Sequence, residues 1–310
     1  MRKTTRFRQL LAQEGAIVVP LVYDGLSARL VEQAGFDMLG VTGAGLSASL
    51  LGLPDVGLLS MAEVLQQVRN IVQATRLPVL ADCDTGYGNA INMLRTLREF
   101  EAAGVGGIFF EDQVAPKRCG HVAGREVIPQ DEAVGKIRAA VAARDEADPD
   151  FILIARTDAR GAHGGSLEDA IRRANAYLAA GADLAFVEGP TSVAEVRRIC
   201  AEVKGRVFYN MTGVSPRFSL EEMQALGIAV AITAGALMRT ALAAMHDLAV
   251  QLRDEGPMAE ARFMEKFSKH PLGDLHTFAG FDRIRAWEQQ FLSAEAMRKY
   301  EDSVGHQPKD

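Results

Sequence analysis

Short apolar runs alternate with helix-patterned segments along most of this chain, and that alternation limits the fold more than any other feature. The runs read as strands are Ala16–Leu21, Asp37–Thr42, Pro78–Asp82, Gly106–Glu111, Phe151–Arg156, Leu184–Glu188, Arg206–Asn210 and Ile228–Thr233. They are apolar almost throughout rather than at every second residue. Strands buried on both faces read this way, as in a parallel sheet. Between them, Met61–Ala74, Ile91–Ala103, Glu132–Arg144, Leu167–Ala179 and Val193–Val203 carry helical apolar spacing with charged faces. Several helices run into a Gly just before the next strand, as at Ala103-Gly104 and Ala180-Gly181. A Gly in that place accepts the left-handed conformation that ends a helix.

Eight strand–helix units predict an α/β fold, a (β/α)₈ barrel. An open doubly wound sheet is the alternative, but no G-x-G-x-x-G follows the first strand. The eighth helix, Ala236–Glu255, would complete a barrel domain over residues 1–255. Residues 256–310 then form a helical tail broken at Gly256-Pro257 and Pro271-Leu272-Gly273. Its last helix is expected over Arg283–Tyr300, around the single Trp287, with a fraying polar end at His306–Asp310. A closed barrel does not need this tail, so it is expected to pack on a neighbouring subunit or to cover the barrel's outside.

Composition narrows the function. Lys and Arg number 34 against 40 Asp and Glu, a net charge of −6, so no overall basic field exists to grip nucleic acid. The basic N-terminus has only a short apolar run, broken by Gln13 and Glu14, and lacks a signal-peptide core. Apolar stretches such as Ile228–Leu237 fall short of the roughly 18 residues a membrane span needs. Three Cys make no disulfide framework and suit a reducing cytoplasm.

In a barrel the C-terminal strand ends share one face, and active sites lie there. Reading round that face gives Asp24, Thr42-Gly43, Asp82 and Asp84, Glu111, Arg156 with Asp158, Glu188 and Asn210. Asp82, Asp84, Glu111 and Asp55 offer four hard oxygen donors, which suit Mg²⁺ better than Zn²⁺. The plainer alternative makes Asp84 a cap on the Thr85-Gly86 turn and Asp55 part of a Pro54 turn. Glu111 at the neighbouring strand end tips the choice toward metal.

Lys117-Arg118-Cys119-Gly120-His121 sits in the loop Gln113–Arg125, which is long enough to act as a lid. Its cations would favour a Cys119 thiolate or make Cys119 a ready proton donor; an incidental Cys in a solvated loop is the alternative. Cys83 and Cys200 read as small hydrophobes, and Met258 and Met264 as packing residues. Arg156 ends a very apolar strand, so it must meet a carboxylate. That carboxylate is either the substrate's, held bidentately, or one from Asp158 or Glu188.

Four stretches, Thr42–Gly57, Asp82–Ala90, Glu111–His121 and Ile154–Arg160, resemble the signatures of the isocitrate lyase / phosphoenolpyruvate mutase superfamily. The likeness runs over about residues 5–235. K-R-C-G-H points to its lyase branch (methylisocitrate lyase-like or 2,3-dimethylmalate lyase-like) or to carboxyphosphonoenolpyruvate mutase-like members. The resemblance implies a Mg²⁺-dependent barrel, with Mn²⁺ as a substitute. It also implies homotetramers, formed as dimers of helix-swapped dimers. By motif, Asp82 would bind the metal directly while Asp55, Asp84 and Glu111 hold its waters. Thr42, Gly43 and Ala44 would bind a substrate carboxylate and carbonyl. Lys117, Arg118, Gly120, His121 and Asn210 would also contact substrate, Arg156 and Glu188 would serve the reaction, and Cys119 would be the general acid. The implied chemistry is cleavage of a 2-hydroxy di- or tricarboxylate to a 2-oxo acid and a carboxylate. A phosphonomutase and an oxaloacetate decarboxylase or hydrolase are the alternatives, and a non-enzymatic binding barrel is a third.

Departures from the methylisocitrate lyase pattern are Gly40, Phe109, the short MTGVSPRF loop after Asn210, and Thr233. They shape the pocket for the departing acid. With Phe109 in place of a His, the expected substrate is a smaller or more apolar substituted malate.

Overall fold

The computed structural model describes residues 1–307; Pro308, Lys309 and Asp310, the end of the stretch expected to fray, lie outside the described residues. Eight parallel strands close into a barrel in sequence order: β1 Ile17–Val22, β2 Leu39–Val41, β3 Val79–Asp82, β4 Gly107–Glu111, β5 Ile152–Thr157, β6 Leu184–Val187, β7 Arg206–Asn210 and β8 Ile228–Thr233. β8 pairs back onto β1, with Ile17 opposite Val230 and Pro20 opposite Thr233. The predicted (β/α)₈ architecture is therefore the observed one, and each expected strand lies within two residues of its observed bounds.

The helices are α1 Lys3–Leu11, α2 Gly25–Gln33, α3 Gly43–Leu51, α4 Met61–Ala74, α5 Ala90–Ala102, α6 Gln130–Ala147, α7 Leu167–Ala179, α8 Val193–Glu202, α9 Leu220–Leu226, α10 Ala236–Glu255, α11 Met258–Phe267, α12 Leu275–Ala279, α13 Phe281–Phe291 and α14 Ala294–Met297. Most barrel helices begin at a side-chain cap. Ser60 and Glu63 form a reciprocal capping box on α4, and Ser219 and Glu222 form another on α9. Asp24 does the same for α2, so this strand-end acid has a structural duty. Gly104 and Gly181 follow α5 and α7 with φ of +85° and +108°, as the Ala-Gly pattern predicts.

Two apolar layers hold the barrel. One joins the outward faces of the strands to the helices. The other fills the barrel interior with Val19, Leu21, Leu80, Phe109, Ile154, Phe186, Phe208, Val230 and Ile232. Phe109, Phe186 and Phe208 meet there with ring centroids 4.9–6.1 Å apart. Each fully buried Phe contributes roughly 2–3 kcal/mol by leaving water.

α1 closes the opposite end and was not legible in the sequence. It adds Phe7, Leu10 and Leu11 to the interior cluster. Its polar face is tied to residues that precede β5 and β6: Thr4 Oγ1 donates to Asp148 at 2.8 Å, and Arg8 pairs with Asp183 at 2.7 Å. With that end plugged, ligands reach the interior from the C-terminal rim.

The chain divides into two compact units, residues 1–240 and 241 onward. In the second, Phe263 stacks on Phe267, and Arg283 lies over the Trp287 ring. The single helix expected over Arg283–Tyr300 is broken instead. Leu292 is extended, and Ser293 caps α14 by accepting from Ala296 N at 3.2 Å. Met258 and Met264, expected to pack, are exposed, as are Leu242, Met245, Phe263 and Phe291. Among the described residues no helix is long and apolar enough to cross a membrane.

Candidate active site

Strand register brings the expected residues together. Asp82 ends β3, Glu111 ends β4, Arg156 stands next to last in β5, Glu188 follows β6 and Asn210 ends β7. Glu111 and Arg156 are direct partners across β4 and β5. Thr42, Ala44, Asp55, Asp82, Cys119, Gly120, His121, Arg156, Glu188 and Asn210 line one cavity of about 110 Å³ at the rim. Leu21, Phe109, Ile232 and Met238 give it an apolar floor and flank.

One corner is acidic. Asp82 Oδ2 accepts the Gly43 amide at 3.1 Å, and its Oδ1 accepts the Asp84 amide at 3.1 Å. A Cβ on Gly43 would stand 2.9 Å from Oδ2, so only glycine lets the backbone come this close. Asp84 takes a left-handed φ of +47° in the turn that aims it at this corner. Burial, then the nearby Asp84 and Asp55, push the Asp82 carboxyl up to about 6, against the pull of Lys117. Burial likewise pushes Glu111 well above the carboxylate range. Lys117 Nζ lies 2.7 Å from both Asp55 and Asp84. Burial disfavours that ammonium, but the surrounding carboxylates outweigh burial and raise its pKa. Lys117 thus serves the acidic corner and does not line the pocket.

The corner suits a hydrated divalent cation. Its donors are hard carboxylate oxygens. Among the described residues no three His, Cys, Asp or Glu side chains converge as a ready-made cage. An ion held by few protein oxygens and several waters, the habit of Mg²⁺, fits that arrangement. Behind Asp82 and Asp84 lies a cavity of about 10 Å³, the room of one water. The buried Tyr87 hydroxyl beside it has no hydrogen-bond partner.

Arg156 uses its edges differently. Nε and Nη2 grip Asp158 at 2.8 and 3.1 Å. Nη1 lies 3.5 Å from Glu111, and Nη2 lies 3.7 Å from Glu188. The bidentate edge is therefore committed to Asp158. Burial pushes the Asp158 carboxyl up, but Arg156 and Arg125 outweigh it and hold it below its ordinary value. Asp112 braces the same strands. It accepts from Thr157 Oγ1 at 2.7 Å, Asp158 N at 2.9 Å and Tyr177 Oη at 2.6 Å.

The lid loop arches back on itself, with Gln113 bridged to Val127 and Val114 N donating to Glu126 O at 2.9 Å. The Gln113 amide clasps the Arg118 backbone at both ends, 2.8 and 2.9 Å. Cys119 N donates to Asp55 O at 3.0 Å. These bonds set Cys119 at the pocket wall. Burial pushes the Cys119 thiol up, more than its backbone bond and the nearby Arg156 and Lys117 pull it down. Desolvation thus outweighs the cations and favours the protonated thiol. His121 Nε2 lies 3.2 Å from Asn210 Nδ2, which also donates to Glu188 at 3.3 Å. His121 Nδ1, Glu188 Oε1 and Asn210 Oδ1 are buried without hydrogen-bond partners. Arg118, expected at the substrate, is exposed and does not line the pocket, because the Gln113 clasp holds its backbone on the outer turn. Gln113, Asp112, Tyr87 and Met238 were missed; only adjacency to Glu111 in E-D-Q hinted at the first two.

Comparison with known proteins agrees with this geometry. Residues 7–253 match the family described as phosphoenolpyruvate phosphomutase. The 2,3-dimethylmalate lyase of Eubacterium barkeri is 41% identical over 296 residues, covering 94% of this chain and 99% of that enzyme. The crystal structure of a 2,3-dimethylmalate lyase superposes with a TM-score of 0.87 at 34% identity, covering 99% of both chains. A phosphonopyruvate hydrolase complexed with oxalate and Mg²⁺ superposes with a TM-score of 0.84 at 31% identity, covering 94% of this chain and all of that one.

Proposed function

This chain belongs to the phosphoenolpyruvate mutase family, and we propose that within it the protein is a carbon–carbon lyase. Its substrate is an alkyl-substituted malate or a related 2-hydroxy dicarboxylate, and its products are a 2-oxo acid and a carboxylic acid. The observation that carries the reading is that Cys119 lines the same pocket as Asp82, Arg156, Glu188 and Asn210. A protonated thiol thus faces a site built for carboxylates. The apolar floor of Phe109 and Ile232 favours alkyl substituents over a third carboxylate.

Asp82 would hold Mg²⁺ or Mn²⁺ directly, with Asp55, Asp84 and Glu111 binding its waters. When bound, the cation supplies Lewis-acid polarisation of a substrate hydroxyl and carboxylate. Thr42 and the amide of Ala44, at the start of α3 where helical N–H groups lack intrahelical acceptors, orient a substrate carboxylate. Arg156 takes a second carboxylate, and Glu188 and Asn210 fix the substrate's polar edge. A base removes the substrate hydroxyl proton, the C–O bond becomes C=O and the carbon–carbon bond breaks; the lid excludes water, so the carbanion left behind takes its proton from Cys119 Sγ.

Residues 1–255 form the catalytic domain in this proposal, and 256–310 serve assembly into a cytoplasmic homotetramer. The apolar side chains exposed in the second unit support that assembly. A panel of substituted malates, methylisocitrate and oxaloacetate with Mg²⁺, read by 2-oxo acid formation, tests the function. Turnover on an alkylmalate is expected. No turnover on any of them would refute the reading, and formation of a phosphorus–carbon bond from an enolpyruvyl phosphonate would assign the mutase reaction instead.

A further inference from the structure

We propose that Arg125 is a positioning residue that governs how much of the Arg156 charge reaches a substrate carboxylate. The inference rests on the carboxylate-binding reading of Arg156 given above. Asp158 is fully buried and serves two cations at once. Its Oδ1 accepts from Arg125 Nη1 at 2.9 Å and from Arg156 Nη2 at 3.1 Å, while Oδ2 accepts Arg156 Nε at 2.8 Å. Among the described residues Arg125 has no other carboxylate partner, and its Nε is buried without a hydrogen-bond partner.

The chain makes room for that contact. Gly161 lies against the Arg125 guanidinium, where a Cβ would stand 2.0 Å from Nη2. The Arg125 backbone is fastened by His163 N, which donates to its carbonyl at 2.9 Å. A buried guanidinium with one acidic partner and a slot cleared for it acts through that partner.

That partner is shared with the substrate-facing arginine. Around Arg156 stand Asp158, Glu111 and Glu188, three carboxylates against two guanidinium groups. Removing Arg125 leaves Asp158 to pull on Arg156 alone and adds one excess negative charge beside an anionic ligand. Both effects weaken substrate binding more than they slow the chemistry, because Arg125 touches no reacting atom. Arg125 also belongs to the segment that carries Cys119 and His121, so the contact ties that segment to the carboxylate-binding arginine.

Oxalate binding to the Mg²⁺-loaded full chain, measured by calorimetry, reads this directly. Arg125→Gln should weaken oxalate about tenfold. Gly161→Ala, which keeps the charge but fills the slot, should weaken it in the same direction. Arg125→Lys should restore most of the affinity. On a substrate, Arg125→Gln should raise KM more than it lowers kcat. The proposal is overturned if folded Arg125→Gln and Gly161→Ala proteins bind oxalate like the parent, or if the Lys variant is as weak as the Gln variant. If Arg125→Gln does not fold, Gly161→Ala and Arg125→Lys decide between the same outcomes. Oxalate binding needs no turnover. An inactive parent with an intact Arg125 effect would refute the lyase reading alone, and an active parent with no Arg125 effect would refute this one alone.

Discussion

Replacing Lys117 with Met tests whether the acidic corner is a cation site, because Met keeps the length of the side chain and removes its charge. Lys117 Nζ touches Asp55 and Asp84 at 2.7 Å each, and its side chain is 4% exposed. At that distance and an effective dielectric of about 20, each contact attracts by about 6 kcal/mol before desolvation is counted. Desolvation cancels most of this, and breaking one partner out of such a buried cluster costs about 3–5 kcal/mol. The two Asp side chains are 13% exposed, so water reaches them and the lower end of that range applies. In a barrel of this size the metal-free variant should melt about 10 °C below the parent. A divalent ion at Asp82 can replace the lost charge, so saturating Mg²⁺ should close at least half of that gap. Thermal melts of both proteins, with chelator and with Mg²⁺, give the comparison. A metal-free variant that melts with the parent would refute the electrostatic account of Lys117. Equal Mg²⁺ shifts in both proteins would refute the cation site.

Cys119→Ser should lower turnover by about 10²–10⁴-fold, the usual worth of a general acid, with Mg²⁺ affinity unchanged. An unaltered rate would remove Cys119 from the reaction. The Asp82 carboxyl is raised by burial from its ordinary 3.8 to about 6. Its protonated form therefore stabilises the metal-free fold fully below pH 3.8, and that stability is lost as pH rises through about 6. Mg²⁺ must displace the same proton, so its affinity should fall about tenfold per pH unit below pH 6 and level off above it. Asp82→Asn should abolish that slope together with metal-dependent activity, as calorimetry across pH would show. Phe109→His should move preference from alkylmalates toward methylisocitrate by about tenfold in relative kcat/KM. An unchanged ratio would free Phe109 from any part in specificity.

The barrel was legible because its signal is local and repeated. A doubly buried strand must be apolar along its whole length, and a helix lying on the sheet must carry one apolar stripe. α1 escaped because its short basic segment, KTTRFRQLL, has its apolar Phe7, Leu10 and Leu11 among Lys, Thr, Arg and Gln. Its helical state depends on burying Phe7 inside the barrel and on ties to Asp148 and Asp183, more than 140 residues away. The break at Leu292-Ser293 escaped for the opposite reason. Ser293 is an ordinary cap in sequence, and nothing before it marks Leu292 as extended.

The candidate site divides along the same line. Residues that end strands were found because topology alone sends them to one rim: Asp82, Arg156, Glu188 and Asn210 line the cavity there, and Glu111 stands beside Arg156. What stayed hidden is how their charges are shared. The sequence could ask whether Arg156 meets Asp158 or a ligand, but the answer depends on which nitrogen faces which oxygen. Asp158 takes the Nε edge, and the Nη1 end lies beside Glu111. Arg125 carries no mark of importance at the end of its loop, yet 33 positions later its partner is the same Asp158. A strand-end residue is fixed by the fold, whereas the strength with which it holds an anion is fixed by non-local partners. We therefore propose that specificity in this barrel resides in residues such as Arg125 and Phe109, which act through the neighbours they pack against.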